Sequence, residues 1–138
     1  MALGRRFRTV LMVLMIAFST PTPVIAAPAI NGAVVIMYHR FGETKYPSTN
    51  VTLEQFEAHL QELKSGQYHV LPLPEIIAAL QNGTALPDRT VGLSIDDAYL
   101  SVFTEAWPRL KKAGFPFTVF VATDPVANNT FGFMNWGQ

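Results

Sequence analysis

The run Val34-Val35-Ile36-Met37-Tyr38 has no polar side. A strand with one wet face alternates apolar and polar residues, so an unbroken apolar run predicts a strand buried on both faces, as in a parallel sheet. The next segment has the make-up of a crossover. After a polar loop, Thr52 is placed to cap a helix, with Gln55 as its capping-box partner. Leu53, Phe56, Leu60 and Leu63 recur at helical spacing, and Gly66 ends the element. The pattern then repeats. Tyr68 to Leu71 reads as a short strand. Pro74 sits at the first position of a second helix, with Ile76, Ile77 and Leu80 inward and Gly83 past its end. Leu86 to Arg89 turns into a third strand, Thr90 to Ile95. A helix begins at Leu100, which Pro108 is expected to break or kink, with Leu110 on its apolar side and Gly114 closing it. Phe117 to Val121 is a fourth strand. Ala122 to Phe133 reads as loop, and Met134-Asn135-Trp136 as the opening of another helix capped by Asn135.

The order β-α-β-α-β-α-β predicts parallel strands joined by right-handed crossover helices. Four strands suit an open α/β sheet or half of a (β/α) barrel. Nothing repeats internally. The last residues open a helix, and the fourth strand has no successor to cover its outer edge. Both features read as a partial domain.

The first residues have a different make-up. Arg5, Arg6 and Arg8 precede the apolar run Val10 to Phe18, Pro21 and Pro23 break it, and Val24-Ile25-Ala26 offers small residues to a peptidase. This is the three-part pattern of a signal peptide, read as residues 1–26 with the cut after Ala26. The alternative is an uncleaved anchor, but the run is shorter than the ~20 residues that span a bilayer. The expected location is therefore exported, periplasmic or extracellular, with membrane contact only through the export signal. The whole chain carries ten basic and ten acidic residues; without the three early arginines the count is seven against ten, a net of −3. No cluster of lysine and arginine remains to grip phosphates, so nucleic acid is not an expected partner. Without cysteine, no disulfide supports the fold.

Chemistry concentrates in Ser94-Ile95-Asp96-Asp97-Ala98-Tyr99, where an apolar strand runs into two adjacent carboxylates. Ligands of parallel α/β folds meet the C-terminal ends of strands. Two neighbouring carboxylates repel when both are ionised; a divalent cation on one relieves that cost and leaves the other free as a base. Alternatively, Asp97 caps the next helix and Asp96 is a solvated loop residue.

Val91 to Tyr99 resembles the first motif of the polysaccharide deacetylases, the NodB-homology or carbohydrate esterase family 4 domain, whose usual form is T-F-D-D-G-Y. Trp107 to Val121 is similar to that family's proline-leucine-lysine-glycine stretch and next strand. Met37-Tyr38-His39 is similar to the opening of its secreted members. The resemblance covers Ala33 to Gln138 and implies the first half of a deformed (β/α) barrel over residues 27–138. It implies metal-dependent removal of N-acetyl groups from an envelope or extracellular polysaccharide or a chitooligosaccharide. Asp96 would be the catalytic base and Asp97 a ligand of a divalent metal, most often zinc.

Two positions depart from the family pattern. Ala98 stands where glycine is usual, which makes a positive-φ turn harder. No histidine comes after Asp97, whereas the family's metal site takes two from a later motif. One carboxylate does not make the three-ligand site of a catalytic zinc. The chain as written is thus expected to hold no metal stably and to give no useful deacetylation. A non-catalytic carbohydrate-binding or interaction module, or a non-functional fragment, is the alternative. His39 ends the first strand at the same sheet edge as Asp96; it lines the pocket or serves a structural hydrogen bond. Tyr99 is a further candidate for the pocket lining. Tyr38, Tyr99 and Trp136 offer faces to a sugar ring or pack in the core. His59 and His69 read as structural.

Overall fold

The computed structural model describes residues 31–138. The expected signal peptide, 1–26, lies outside them.

The central strand is β5 (Thr90–Asp96), preceded by β1 (Val34–Tyr38), β2 (Arg40–Phe41), β3 (Asn50–Val51) and β4 (His69–Val70), and followed by β6 (Thr118–Phe120). All of its pairings are parallel. β1 runs along one edge, from Val34 opposite Val91 to Tyr38 opposite Ile95. β4 and β6 share the other edge, β4 at Thr90 and Val91, β6 at Ser94 to Asp96. β2 and β3 form a separate two-stranded parallel pair. The architecture is α/β with parallel strands and crossover helices, and the sheet does not close into a full barrel.

The first helix, α1 (Leu53–Ser65), forms as its sequence predicts. Thr52 accepts from the Gln55 amide, and the Gln55 side chain accepts from the Thr52 amide. This reciprocal cap satisfies two amides that a helix start leaves open. Phe56, Leu60 and Leu63 point into the core. There they meet Tyr38, Phe41, Leu93, Ile95, Val102, Ala106 and Leu110. The rings of Tyr38, Phe41 and Phe56 lie 4.7–5.5 Å apart, centroid to centroid. Such aromatic pairs add about 0.5–1.5 kcal/mol beyond the area they bury.

Pro108 shapes the next helical segment. Proline lacks an amide hydrogen and crowds the carbonyl four residues back. The chain responds with a π-helical turn over Val102–Ala106, in which the Trp107 amide reaches the Val102 carbonyl, five residues back. α3 (Trp107–Ala113) then carries Pro108 near its start and ends at Gly114, which takes the left-handed φ of 74°. That conformation is free to glycine and costly to other residues.

Four expectations need correction. β1 is not buried on both faces: Val34, Val35 and Met37 are exposed, and Tyr38 alone is fully covered. Among the described residues nothing pairs with its outer edge. α2 (Leu73–Gln81) starts one residue earlier than expected, with Pro72 at its cap. Its buried residue is Ile76, set over Gly92 of β5; Ile77 and Leu80 are exposed, at 46% and 44%. Ile77 lies about 100° around the helix from Ile76, away from the sheet. Third, the stretch read as loop contains a short helix, α4 (Thr123–Ala127), which buries Val126. Last, Asn135 accepts from the Gly137 amide and donates its own amide to the Gln138 side chain, the hydrogen bonds of a cap, but no helix succeeds it among the described residues.

Candidate active site

The two strands that carry the candidate residues lie side by side, and their register decides what meets. Tyr38 pairs with Ile95, so His39, just past the end of β1, comes beside Asp96, the last residue of β5. The His39 Nε2 is 3.9 Å from the Asp96 Oδ2, with side chains 25% and 30% exposed. That separation is too long for a hydrogen bond but within ion-pair reach of a protonated imidazole. His39 also lines a pocket of about 270 Å³ beside Ser48, Thr49 and Asn50.

Beyond Asp96 the backbone turns sharply. Asp97 and Ala98 both adopt left-handed conformations, with φ of 71° and 55°. For a residue such as Ala98 this costs roughly 1–2 kcal/mol, and less for Asp97, whose short polar side chain tolerates the conformation. The turn persists because it is tied from outside. The Asp97 amide donates to the Phe120 carbonyl at 2.8 Å, the Met134 amide to the Ala98 carbonyl at 2.9 Å, and the Leu100 amide to the Gly132 carbonyl at 2.8 Å. Ala98 thus takes a positive φ without glycine's freedom, and its methyl is buried. The alternative role of Asp97 as a helix cap is not realised: the π-helical turn after it has no side-chain cap.

Tyr99 is drawn into a brace. The Arg40 guanidinium lies 3.4 Å from the Tyr99 ring centroid and 4.0 Å from that of Tyr46. It donates to Glu43 at 2.7 Å, and the other Glu43 oxygen accepts from the Ser101 hydroxyl at 2.7 Å. That hydroxyl oxygen in turn accepts from the Phe41 amide. Burial works against the Arg40 charge, but the Glu43 hydrogen bond and charge, with Tyr99, outweigh it and raise its pKa. A cation over an aromatic face contributes about 0.5–2 kcal/mol, more as water is excluded. Tyr99 also packs on Phe133, 4.7 Å between centroids. Sequence reasoning missed Arg40, Glu43 and Ser101. Only the three-residue spacing of Arg40 and Glu43 hints at a pair; the link to Tyr99 and Ser101 depends on the β1–β5 register.

The other histidines fall away from this edge. His59 is hydrogen-bonded to the Tyr38 hydroxyl at 3.1 Å, and His69 lies on the short strand β4. Trp136 is largely exposed, at 66%, beside an apolar pocket lined by Ala98, Val121, Val126 and Met134. Among the described residues no group of three or more histidine or acidic side chains could hold a metal ion. The donors present therefore do not fit the open three-ligand site of a catalytic zinc.

No family model matches the chain. It is 27% identical over 153 aligned positions to a poly-β-1,6-N-acetyl-D-glucosamine N-deacetylase of Staphylococcus epidermidis, an alignment covering 94% of this chain and 53% of that protein. A protein of the same name from Staphylococcus aureus is 28% identical, over 73% of this chain and 39% of its own length. Among solved structures, IcaB from Ammonifex degensii is 28% identical with a TM-score of 0.69, covering 78% of this chain and 46% of that one. The Streptococcus pyogenes deacetylase PplD is 25% identical with a TM-score of 0.67, covering 75% and 48%. With the sheet and its acidic strand end, these likenesses support a polysaccharide-deacetylase domain of the NodB-like, carbohydrate esterase family 4 type, partial beside its full-length relatives. It spans about half the length, or less, of the proteins it matches.

Proposed function

We propose that this chain supplies the acid–base part of a polysaccharide N-deacetylase. The carrying observation is the approach of His39 to Asp96 at the ends of adjacent strands, in a fold similar to proteins named as deacetylases. Hydrolysis of an acetamide needs two proton transfers. Asp96, as carboxylate, takes a proton from water as the water oxygen bonds the acetyl carbon. His39, as imidazolium, gives a proton to the nitrogen as the carbon–nitrogen bond breaks, leaving acetate and a free amine. Asp97 is assigned one ligand position toward the divalent metal, zinc, that the family resemblance implies. The described residues complete no such site, so neither proton transfer is routed through it. His39 and Tyr99 line the sugar-facing side.

The substrate class is an N-acetylated polysaccharide, with the names of the staphylococcal relatives favouring an N-acetylglucosamine polymer. Chitooligosaccharides share the reacting group. The pattern of residues 1–26 supports action outside the cytoplasm, with 27–138 as the deacetylase portion.

The test uses the chain without residues 1–26 and N-acetylglucosamine oligomers. Oligomers should shift the NMR signals of His39 and Asp96. Acetate release with added zinc or cobalt should stay at the level of an Asp96→Asn control, because Asp97 alone leaves zinc hydrated and unplaced. No shift at either residue in excess oligomer sinks the reading. Metal-dependent release that Asp96→Asn abolishes would overturn the ligand count and keep the role of Asp96.

The lack of a three-donor cluster among the described residues favours a second reading, a non-catalytic carbohydrate-binding or interaction module. Metal-independent sugar binding lost on Trp136→Ala, with His39 and Asp96 signals unmoved, would select it.

A further inference from the structure

The proposed acid–base chemistry leaves the most heavily engaged charge near the site without a task. Arg40 directly follows His39, and its side chain is only 12% exposed. It reaches the neighbouring strand's outgoing segment by stacking on Tyr99, two residues after Asp97. Segment 40–46 and segment 99–101 are joined at two further points, Glu43 to Ser101 and Ser101 to the Phe41 amide, and Arg40 is tied to Glu43 within the first segment. Glu43 is itself held, its amide donating to the Asn50 side chain at 2.8 Å. Tyr46 closes the outer face of the guanidinium.

We infer that Arg40 is a positioning residue: clamped between Tyr46 and Tyr99 and anchored on Glu43, it holds the strained turn at Asp97 and Ala98 in place against His39. The inference rests on the proposed roles of Asp96 and His39. Its physical core is the strain itself. Two successive left-handed residues without glycine relax toward ordinary backbone unless their surroundings hold them. Backbone hydrogen bonds from β6 and the 132–134 segment fix one side of the turn. Toward segment 40–46, the chain leaving the turn is fixed by the ring of Tyr99 and the hydroxyl of Ser101, both in the brace. A guanidinium is suited to the task because it is flat, permanently charged and able to stack while it donates in its plane. An ammonium offers only a point charge.

The test is NMR of the chain, reading the amide–α-proton couplings and carbon shifts that report φ at Asp97 and Ala98. Arg40→Met and Tyr99→Leu should each lose the left-handed signature at both residues, while the signals of β5 and α1 stay put. Tyr99→Phe, which keeps the ring, should retain it. Arg40→Lys should restore little, since it keeps the charge but not the planar stack. Glu43→Gln is the gentler variant if Arg40→Met does not fold, and it should weaken the signature in the same direction. A left-handed signature that survives Arg40→Met, or survives Glu43→Gln where Arg40→Met is unfolded, overturns the inference. So does one fully restored by Arg40→Lys. The readout needs no turnover. Loss of oligomer-induced shifts at His39 and Asp96 with the turn intact in the wild type would sink the proposed function and leave the brace standing.

Discussion

β1 and β5 are neighbours, parallel and in register; β1 is written in apolar residues and β5 mixes them with Thr, Gly and Ser, yet it is β5 that is sealed and β1 that is open. Thr90 to Ile95 is buried throughout. On β1, Val34, Val35 and Met37 stand 47–63% exposed. The difference comes from position. β5 has strands on both edges, α2 over Gly92 and the aromatic core against Leu93 and Ile95. Among the described residues β1 has a partner on one edge, and of its own residues Ile36 and Tyr38 meet the core. An apolar run therefore identifies a strand, while neighbours contributed by distant sequence decide whether it is buried. Both strands still deliver a candidate site residue at the same end, so the site has one buried wall and one exposed wall.

The sharpest way to break this comparison is to cut into the sealed strand. Ile95 is fully buried, and Ile95→Ala should cost about 2–5 kcal/mol, read as a lowered midpoint in chemical denaturation. A loss under about 1 kcal/mol would mean that β5 is not the anchor. The next effect belongs to the one sealed residue of β1. Burial pushes the Tyr38 phenol up to about 12, against 10.0 ordinarily. The folded state holds that proton more tightly than the unfolded chain does. Its contribution is complete below pH 10 and fades as pH rises through about 12. The gap corresponds to about 2–3 kcal/mol. Tyr38→Phe should flatten the alkaline loss of stability across that window, and parallel declines in the two proteins would count against the buried phenol.

A smaller effect lies where the outgoing ends of the two strands are joined. Ser101→Ala leaves the buried Phe41 amide without its acceptor and frees one Glu43 oxygen. The expected cost is about 1–3 kcal/mol, with Arg40 and Tyr99 signals broadened in NMR. The smallest effect is on the open face of β1. Met37→Thr should change stability by no more than about 0.5 kcal/mol. A large loss there would show that this face is covered in solution, and the contrast between the strands would disappear.

How much of this was legible from the sequence depended on how local each cause is. The cap of α1 is written in Thr52 and Gln55, one helical turn apart, and forms as read. Gly114 and Pro108 act on their own backbone, and their effects were expected, though the π-helical form of the kink was not. The exposure of Ile77 and Leu80 was hidden because a short helix shows its inward face only once the sheet beneath it is known. α4 was hidden among Asn, Gly and Thr, although Thr123-Asp124-Pro125 has the acidic first turn and early proline of a helix start. The acidic pair could be found in the sequence, and His39 could be placed at its sheet edge. The 3.9 Å approach, the two left-handed residues and the Arg40 brace could not, since each depends on how segments distant in sequence are brought together.

The open edge of β1 also bears on how the chain behaves in a tube. Among the described residues β1 has no strand partner along one side, exposes apolar side chains and holds neither proline nor charge, which makes it a template for another strand. Folding is first order in protein and association is second order, so dilution and concentration favour different fates. In dilute solution the core around Phe41, Phe56 and Leu93 has time to assemble. In concentrated solution, encounters between β1 edges compete with it, making concentration as much a determinant of what is recovered as temperature or pH.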